Sequence, residues 1–254
     1  MSMHDSYAAS SGAVVDLVIP ARDEQANIGP LFDALDRGFF RHVVVADNGS
    51  TDATAGCVRQ RGAVVVGEPR PGYGGACLAA LAWVADQLAP DMVAFLDADL
   101  SDDPAELPRL CQPIIDGEAD LVIGSRLRLA EGGALNATQR FGNWLACAMI
   151  RVLTGRRYTD LGPMRVVRYE SLQRLQMADR TWGWTVEMQY KAAVVGLRTL
   201  ELDVPYRRRR SERSKISGSI IGSVRAGYVI IVTILRLWRW YRPQGATART
   251  DGRG

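Results

Sequence analysis

Histidine is almost missing from this 254-residue chain, which holds only His4 and His42. The four cysteines (Cys57, Cys77, Cys111 and Cys147) are widely separated, with no C-x-x-C pair and no histidine cluster beside them. That excludes the usual zinc-ligand spacings and suits free thiols in a reducing compartment. No stretch reaches the roughly 18 uninterrupted apolar residues that mark a confident membrane span. Residues 1–12 lack the basic and apolar segments of a secretion signal and are expected to be a disordered lead-in. A strong charge balance is also lacking: the net charge is +3, so overall charge does not point to nucleic acid.

What is present is an ordinary globular composition, 47% hydrophobic and 23% charged, long enough for one large domain with a sizeable core. Apolar runs at Val14–Ile19, His42–Ala46, Ala63–Val66, Met92–Leu96 and Leu121–Gly124 read as strands. Stretches with helical spacing lie between them, such as Ile28, Leu31, Phe32 and Leu35. Five alternations at roughly 20 to 30 residues each predict an α/β fold, an open and mostly parallel sheet with helices on both faces. In such a sheet the loops after alternate elements open on one edge. Those loops bring Asp23, Glu24, Asp47, Asp52, Asp97, Asp99 and Arg126 together.

Met92–Pro104 carries the densest chemistry. A buried strand breaks into four carboxylates, and Asp97 and Asp99, two apart, face the same side of an extended backbone. Two hard oxygen ligands there suit a divalent cation that carries substrate phosphates. Asp102 and Asp103 are expected to cap the helix that Pro104 begins.

The second half is less regular. Thr138–Thr154 is predicted as a helix whose core face is Phe141, Leu145, Met149 and Val152. Tyr158–Arg168 reads as a turn, another helix follows Thr181–Glu187, and Thr199–Tyr206 reads as an edge strand. Gly72-Tyr-Gly74-Gly75 imitates a dinucleotide fingerprint, but Cys77 replaces its last glycine and the loop follows the third strand. A loop and helix start is favoured over a phosphate cradle, which leaves a dehydrogenase a distant alternative.

Pro20-Ala-Arg-Asp-Glu24, Asp47-Asn-Gly-Ser-Thr-Asp52, Gly72-Tyr-Gly-Gly, Asp97-Ala-Asp99 and Gly124-Ser-Arg126 occur in that order. Together they resemble the family 2 glycosyltransferases of GT-A fold, in particular a bacterial branch like the dolichyl-phosphate mannose and glucose synthases. The resemblance implies a nucleotide-sugar donor, UDP- or GDP-linked, with Mg²⁺ or Mn²⁺. It implies that Pro20, Ala21 and Glu24 hold the nucleoside and that Asp47 recognises the base. Asp99 would be the direct metal ligand, with Asp97 nearer the ribose and diphosphate; Arg126 and Arg165 would steady phosphates. Ser101 stands where mannose synthases of this kind carry glutamine. Thr159–Arg165 and Trp184-Thr-Val-Glu-Met instead look like a glucosyltransferase-like subgroup.

The acceptor determines which further groups the reaction needs. A polyprenyl phosphate is already anionic and requires cations but no base, whereas a hydroxyl needs a carboxylate, for which Asp160 and Glu187 are the candidates. Tyr206–Lys215 puts six cations in ten residues. The apolar stripe Ile216, Ile220, Val224, Tyr228, Ile231, Leu235 and Trp238 follows at helical spacing. An apolar face beside Arg225, Arg236 and Arg239 suits the cytoplasmic face of a membrane. The expected organisation is therefore a catalytic domain over 13–206, a basic loop and interfacial helix over 207–242, and a tail over 243–254. By the resemblance, Lys215 and Arg213, with Arg165, would bind the acceptor phosphate. A hydroxyl acceptor and a non-catalytic nucleotide- or membrane-binding module remain alternatives.

Overall fold

The structure, a computed structural model, describes residues 12–208 and 231–239. Strands β1 (Val15–Ala21), β2 (His42–Asp47), β3 (Val64–Gly67) and β4 (Met92–Phe95) alternate with helices α1 (Gln25–Ala34), α2 (Thr54–Gln60) and α3 (Tyr73–Ala85). After β4 come a 3₁₀ turn, α4 (Leu107–Ile115), β5 (Leu121–Ser125) and α5 (Ala137–Thr154). Then follow β6 (Arg165–Arg168), α6 (Tyr169–Leu175), α7 (Trp184–Val194) and β7 (Thr199–Asp203). A last helix, α8, spans 231–239.

The seven strands form one sheet in the order β3-β2-β1-β4-β6-β5-β7. Only β6 runs antiparallel to its neighbours. The α/β architecture and mostly parallel sheet follow from the alternating pattern, but β6 departs from it. Its four residues Arg165-Val-Val-Arg168, preceded by Gly162-Pro163, look like a turn, and only pairing with β4 and β5 makes them a strand. β7 lies at the sheet edge.

Side-chain alternation sorts the strands' apolar residues to two faces. Val18, Val44, Phe95 and Ile123 pack with α3, α5, α6, α7 and α8. Leu17, Ile19, Val45, Ala94 and Val122 pack with α1, α2 and α4. Covered on both sides, β1 is buried along all seven residues. It accommodates Asp16, 0% exposed, because Arg41 Nη2 and Nε donate to its carboxylate at 2.6 and 3.0 Å; a buried charge survives only when paired.

Of the two apolar stripes read from periodicity, that of α5 lies elsewhere than expected, while Leu235 and Trp238 of α8 face outward as an interfacial face would. On α5 the buried face is Asn143, Ala146, Cys147 and Ile150, while Phe141 and Trp144 are 60% and 61% exposed. Phe141, Trp144 and Val152 turn outward, while Met149 packs against the core. On α8, Thr233, Ile234 and Leu237 are buried, leaving Leu235 and Trp238 exposed beside Arg236 and Arg239. Among the described residues no helix is long and apolar enough to cross a membrane.

Candidate active site

The carboxyl ends of β1, β2 and β4 lie side by side, with Ala21 opposite Asp47 in register. Pro20 and Ala21 are buried, and Asn48 N–H donates to the Ala21 carbonyl at 2.8 Å. The loops after β1 and β2 are stitched together. Asp23 N–H donates to Ser50 Oγ at 2.9 Å, Thr51 N–H to Asp23 Oδ1 at 2.6 Å, and Glu24 N–H to Thr54 Oγ1 at 2.8 Å. Glu24 Oε2 accepts from Asn27 Nδ2 at 2.6 Å, and Asp47 Oδ1 from Ser50 N–H at 3.2 Å. A cleft of about 390 Å³ opens beside Asp23, Glu24, Asn27 and Asp52. Asp52 itself is a loop brace, taking the amides of Gln25 and Thr54.

Asp97 and Asp99 follow β4. The Tyr73 hydroxyl donates to Asp97 Oδ1 at 2.9 Å, and Ser101 N–H donates to Asp99 Oδ1 at 2.9 Å. Asp103 caps the 3₁₀ turn, accepting from Ala105 N–H at 3.2 Å. Asp102, its expected companion, does not cap. It is 2% exposed, and neither carboxylate oxygen has a hydrogen-bond partner among the described residues. Burial drives its carboxyl well above the usual range; the Arg126 charge opposes this, and the charges of Asp97, Asp99 and Asp160 add to it. The backbone explains the position: Asp102 bridges Tyr206, and Arg207 N–H donates to the Ser101 carbonyl at 2.8 Å, drawing the loop inward.

Arg126, just past β5, is locked to Asp160. Its backbone N–H and Nε donate to Asp160 Oδ2, and Nη2 to Oδ1, each at 2.8 Å. Tyr206 lies against the guanidinium, 5.1 Å from ring centroid to Cζ. Burial alone would raise the Asp160 carboxyl, but the Arg126 hydrogen bonds and charge outweigh it and hold it below the usual carboxylate range. Glu201 fixes the same loop by accepting the amides of Thr159 and Asp160 at 3.0 Å.

Arg165 and Glu187 sit deeper than a substrate contact requires. Arg165 is 0% exposed. Its guanidinium donates to the carbonyls of Gly162, Leu161 and Thr185, and burial lowers its pKa to about 10. It braces the Leu161–Gly162 turn from a buried position. Glu187 takes the amides of Ala178 and Asp179 and pairs with Lys191 at 2.8 Å, both side chains buried. Arg213 and Lys215 lie outside the described residues.

The Gly72–Gly75 amides are also committed. Gly74 N–H donates to the Thr181 carbonyl at 3.0 Å and Gly75 N–H to that of Arg180 at 2.9 Å. A Cβ at Gly74 would stand 2.0 Å from the Asp179 carbonyl oxygen. The glycines therefore admit another loop rather than a pyrophosphate.

Among the described residues, no three acidic, histidine or cysteine side chains converge into a closed metal site. Asp97 and Asp99 offer two hard oxygen donors, which fits an octahedral cation that completes its ligand shell from a substrate diphosphate and water. Tyr206 and Glu201 join the site without a sequence signal of their own, and Tyr73 and Asp102, read from the sequence only as part of a loop motif and as a cap, join it through long-range packing.

Comparison with known proteins places this arrangement. The family described as Glycosyl transferase family 2 matches residues 16–176. An uncharacterised glycosyltransferase of Mycobacterium tuberculosis is 37% identical over 229 residues, covering 90% of this chain and 98% of its own. An undecaprenyl-phosphate mannosyltransferase of Micrococcus luteus is 28% identical, covering 92% and 95%. Among solved structures, glucosyl-3-phosphoglycerate synthase from Mycobacterium tuberculosis, in complex with Mn²⁺, UDP and glucosyl-3-phosphoglycerate, superposes with a TM-score of 0.70. It is 22% identical over 99% of this chain and 88% of that one.

Proposed function

The chain belongs to glycosyl transferase family 2, and from that premise we propose that it moves a hexose from a nucleotide-diphosphate sugar, UDP-glucose foremost, to a polyprenyl phosphate. The donor side rests on the loops after β1, β2 and β4. Pro20, Ala21 and Glu24 would hold the nucleoside, and Asp47 would meet the base. Asp97 and Asp99 would hold Mg²⁺ or Mn²⁺, which supplies positive charge to the departing diphosphate. Arg126, kept charged and oriented by Asp160 and Tyr206, would add to that stabilisation. A single in-line displacement inverts the anomeric carbon.

One observation carries the choice of acceptor: both candidate bases are committed to partners within the fold. Asp160 is held below the usual carboxylate range by Arg126, and Glu187 is engaged by two amides and Lys191. A nucleophile that is already anionic at pH 7 removes the need for a base. The acceptor named for the Micrococcus luteus relative has that chemistry. Leu235 and Trp238 exposed beside Arg236 and Arg239 support docking at the cytoplasmic face of a membrane. Lys215 and Arg213 would then meet the lipid phosphate.

The test is transfer from radiolabelled UDP- and GDP-hexoses, with and without Mn²⁺, to undecaprenyl phosphate, 3-phosphoglycerate or a neutral lipid alcohol. Metal-dependent labelling of the polyprenyl phosphate, weakened in Lys215→Ala through a raised acceptor KM, is expected. Labelling of the alcohol alone would overturn the acceptor, and no metal-dependent transfer from any donor would overturn the whole reading.

A further inference from the structure

We propose that Tyr73 is a positioning residue that sets the orientation of Asp97, and that loop 178–183 holds Tyr73 in place for it. This rests on the reading of Asp97 as a ligand of the metal and diphosphate. The phenol donates to Asp97 Oδ1 at 2.9 Å, a hydrogen bond to an ionised group and so among the stronger kind.

Tyr73 is the first residue of α3, and loop 178–183 grips that helix start from three directions. Its carbonyls at Arg180 and Thr181 take the Gly75 and Gly74 amides. Arg180 Nη2 pairs with Glu68 at 2.6 Å. The Trp182 ring lies against Tyr73 with centroids 5.9 Å apart and planes 31° from parallel. The loop is itself fixed from behind: Glu187 takes the amides of Ala178 and Asp179, and Thr233 of α8 donates to Asp179 at 3.4 Å. The loop therefore links α8, at Thr233, to Tyr73 and through it to Asp97. It also gives Glu187 a role without proton transfer.

The experiment is calorimetric titration of the full chain with UDP and GDP, each with and without Mn²⁺, for the wild type, Tyr73→Phe and Trp182→Leu. Tyr73→Phe removes one oxygen and leaves the ring and its stacking. It is expected to weaken Mn²⁺-dependent nucleotide binding about tenfold, as loss of a charged hydrogen bond does, with metal-free nucleotide affinity unchanged. Trp182→Leu should move the same ratio in the same direction by a smaller factor. Equal losses with and without metal would show a merely structural tyrosine and overturn the proposal, as would an unchanged affinity. A wild type with no metal-dependent binding of either nucleotide would overturn the underlying reading as well, so the two failures are distinct.

Discussion

Removing the Asp160 carboxylate tests the role assigned to it more sharply than any other single change. Its partner Arg126 is 15% exposed and Asp160 is 0% exposed, so Asp160→Ala leaves a guanidinium in low dielectric with both its hydrogen bonds to Asp160 broken, and with them that of the Arg126 backbone amide. Breaking a buried pair from one side costs about 3–5 kcal/mol. For a domain of this size each kcal/mol moves the melting temperature by about 2–4 °C, so a drop of about 6–20 °C is expected. Replacing both partners, Arg126→Met with Asp160→Leu, should recover most of the stability while transfer stays abolished. The pH dependence has a definite sign. Arg126 holds Asp160 below the usual carboxylate range, so its contribution is complete above about pH 4 and fades as the pH falls further. Differential scanning calorimetry from pH 8 to pH 3 should show a constant gap between wild type and Asp160→Ala that closes in acid. A drop under about 2 °C, or a gap that widens in acid, would refute the reasoning. Lost turnover in a fully stable Asp160→Asn, with a pH–rate profile reporting one missing base, would restore Asp160 as a proton acceptor.

Glu187→Ala should cost about 3–5 kcal/mol in urea denaturation, because it strands Lys191 in the interior, and a Glu187→Leu, Lys191→Leu pair should regain much of it. Asp102→Asn should be more stable than the wild type at pH 8. Burial raises the native Asp102 carboxyl, so the wild type loses stability as the pH climbs above about 4, where only the unfolded chain ionises freely. Urea midpoints should therefore converge toward pH 4, and equal midpoints at pH 8 would contradict the buried, unpartnered carboxyl.

The cluster proposed for the donor was legible because its placement is local. Asp47 ends a strand, and Glu24, Asp97 and Asp99 come within a few residues of one, each strand announced by its apolar run, and parallel strands put their ends together. The surroundings of Arg165 and Asp102 were not legible, because their determinants are tertiary. β6 exists only through pairing with β4 and β5, and nothing in Arg165-Val-Val-Arg168 reveals that its first arginine is engulfed. On α5 the periodicity was correct but its sense was not. Phe141, Leu145, Met149 and Val152 are an apolar stripe, yet Asn143, Ala146, Cys147 and Ile150 take the buried face, and hydrophobicity does not distinguish a stripe facing the core from one facing outward. Asp102 and Asp103 differ by one position and share a side chain. The bridge from Asp102 to Tyr206 and the hydrogen bond from Arg207 to Ser101 separate a cap from a buried acid.

That same hydrogen bond, 2.8 Å from the Arg207 amide to the Ser101 carbonyl, fixes where the cationic segment departs. With Asp102 bridged to Tyr206, the chain is moored at the loop bearing Asp99 before its remaining arginines begin. A displacement of Tyr206 or Arg207 would therefore pass directly to the loop that carries Asp99, so the segment leaving β7 and the proposed metal ligand shift as one body.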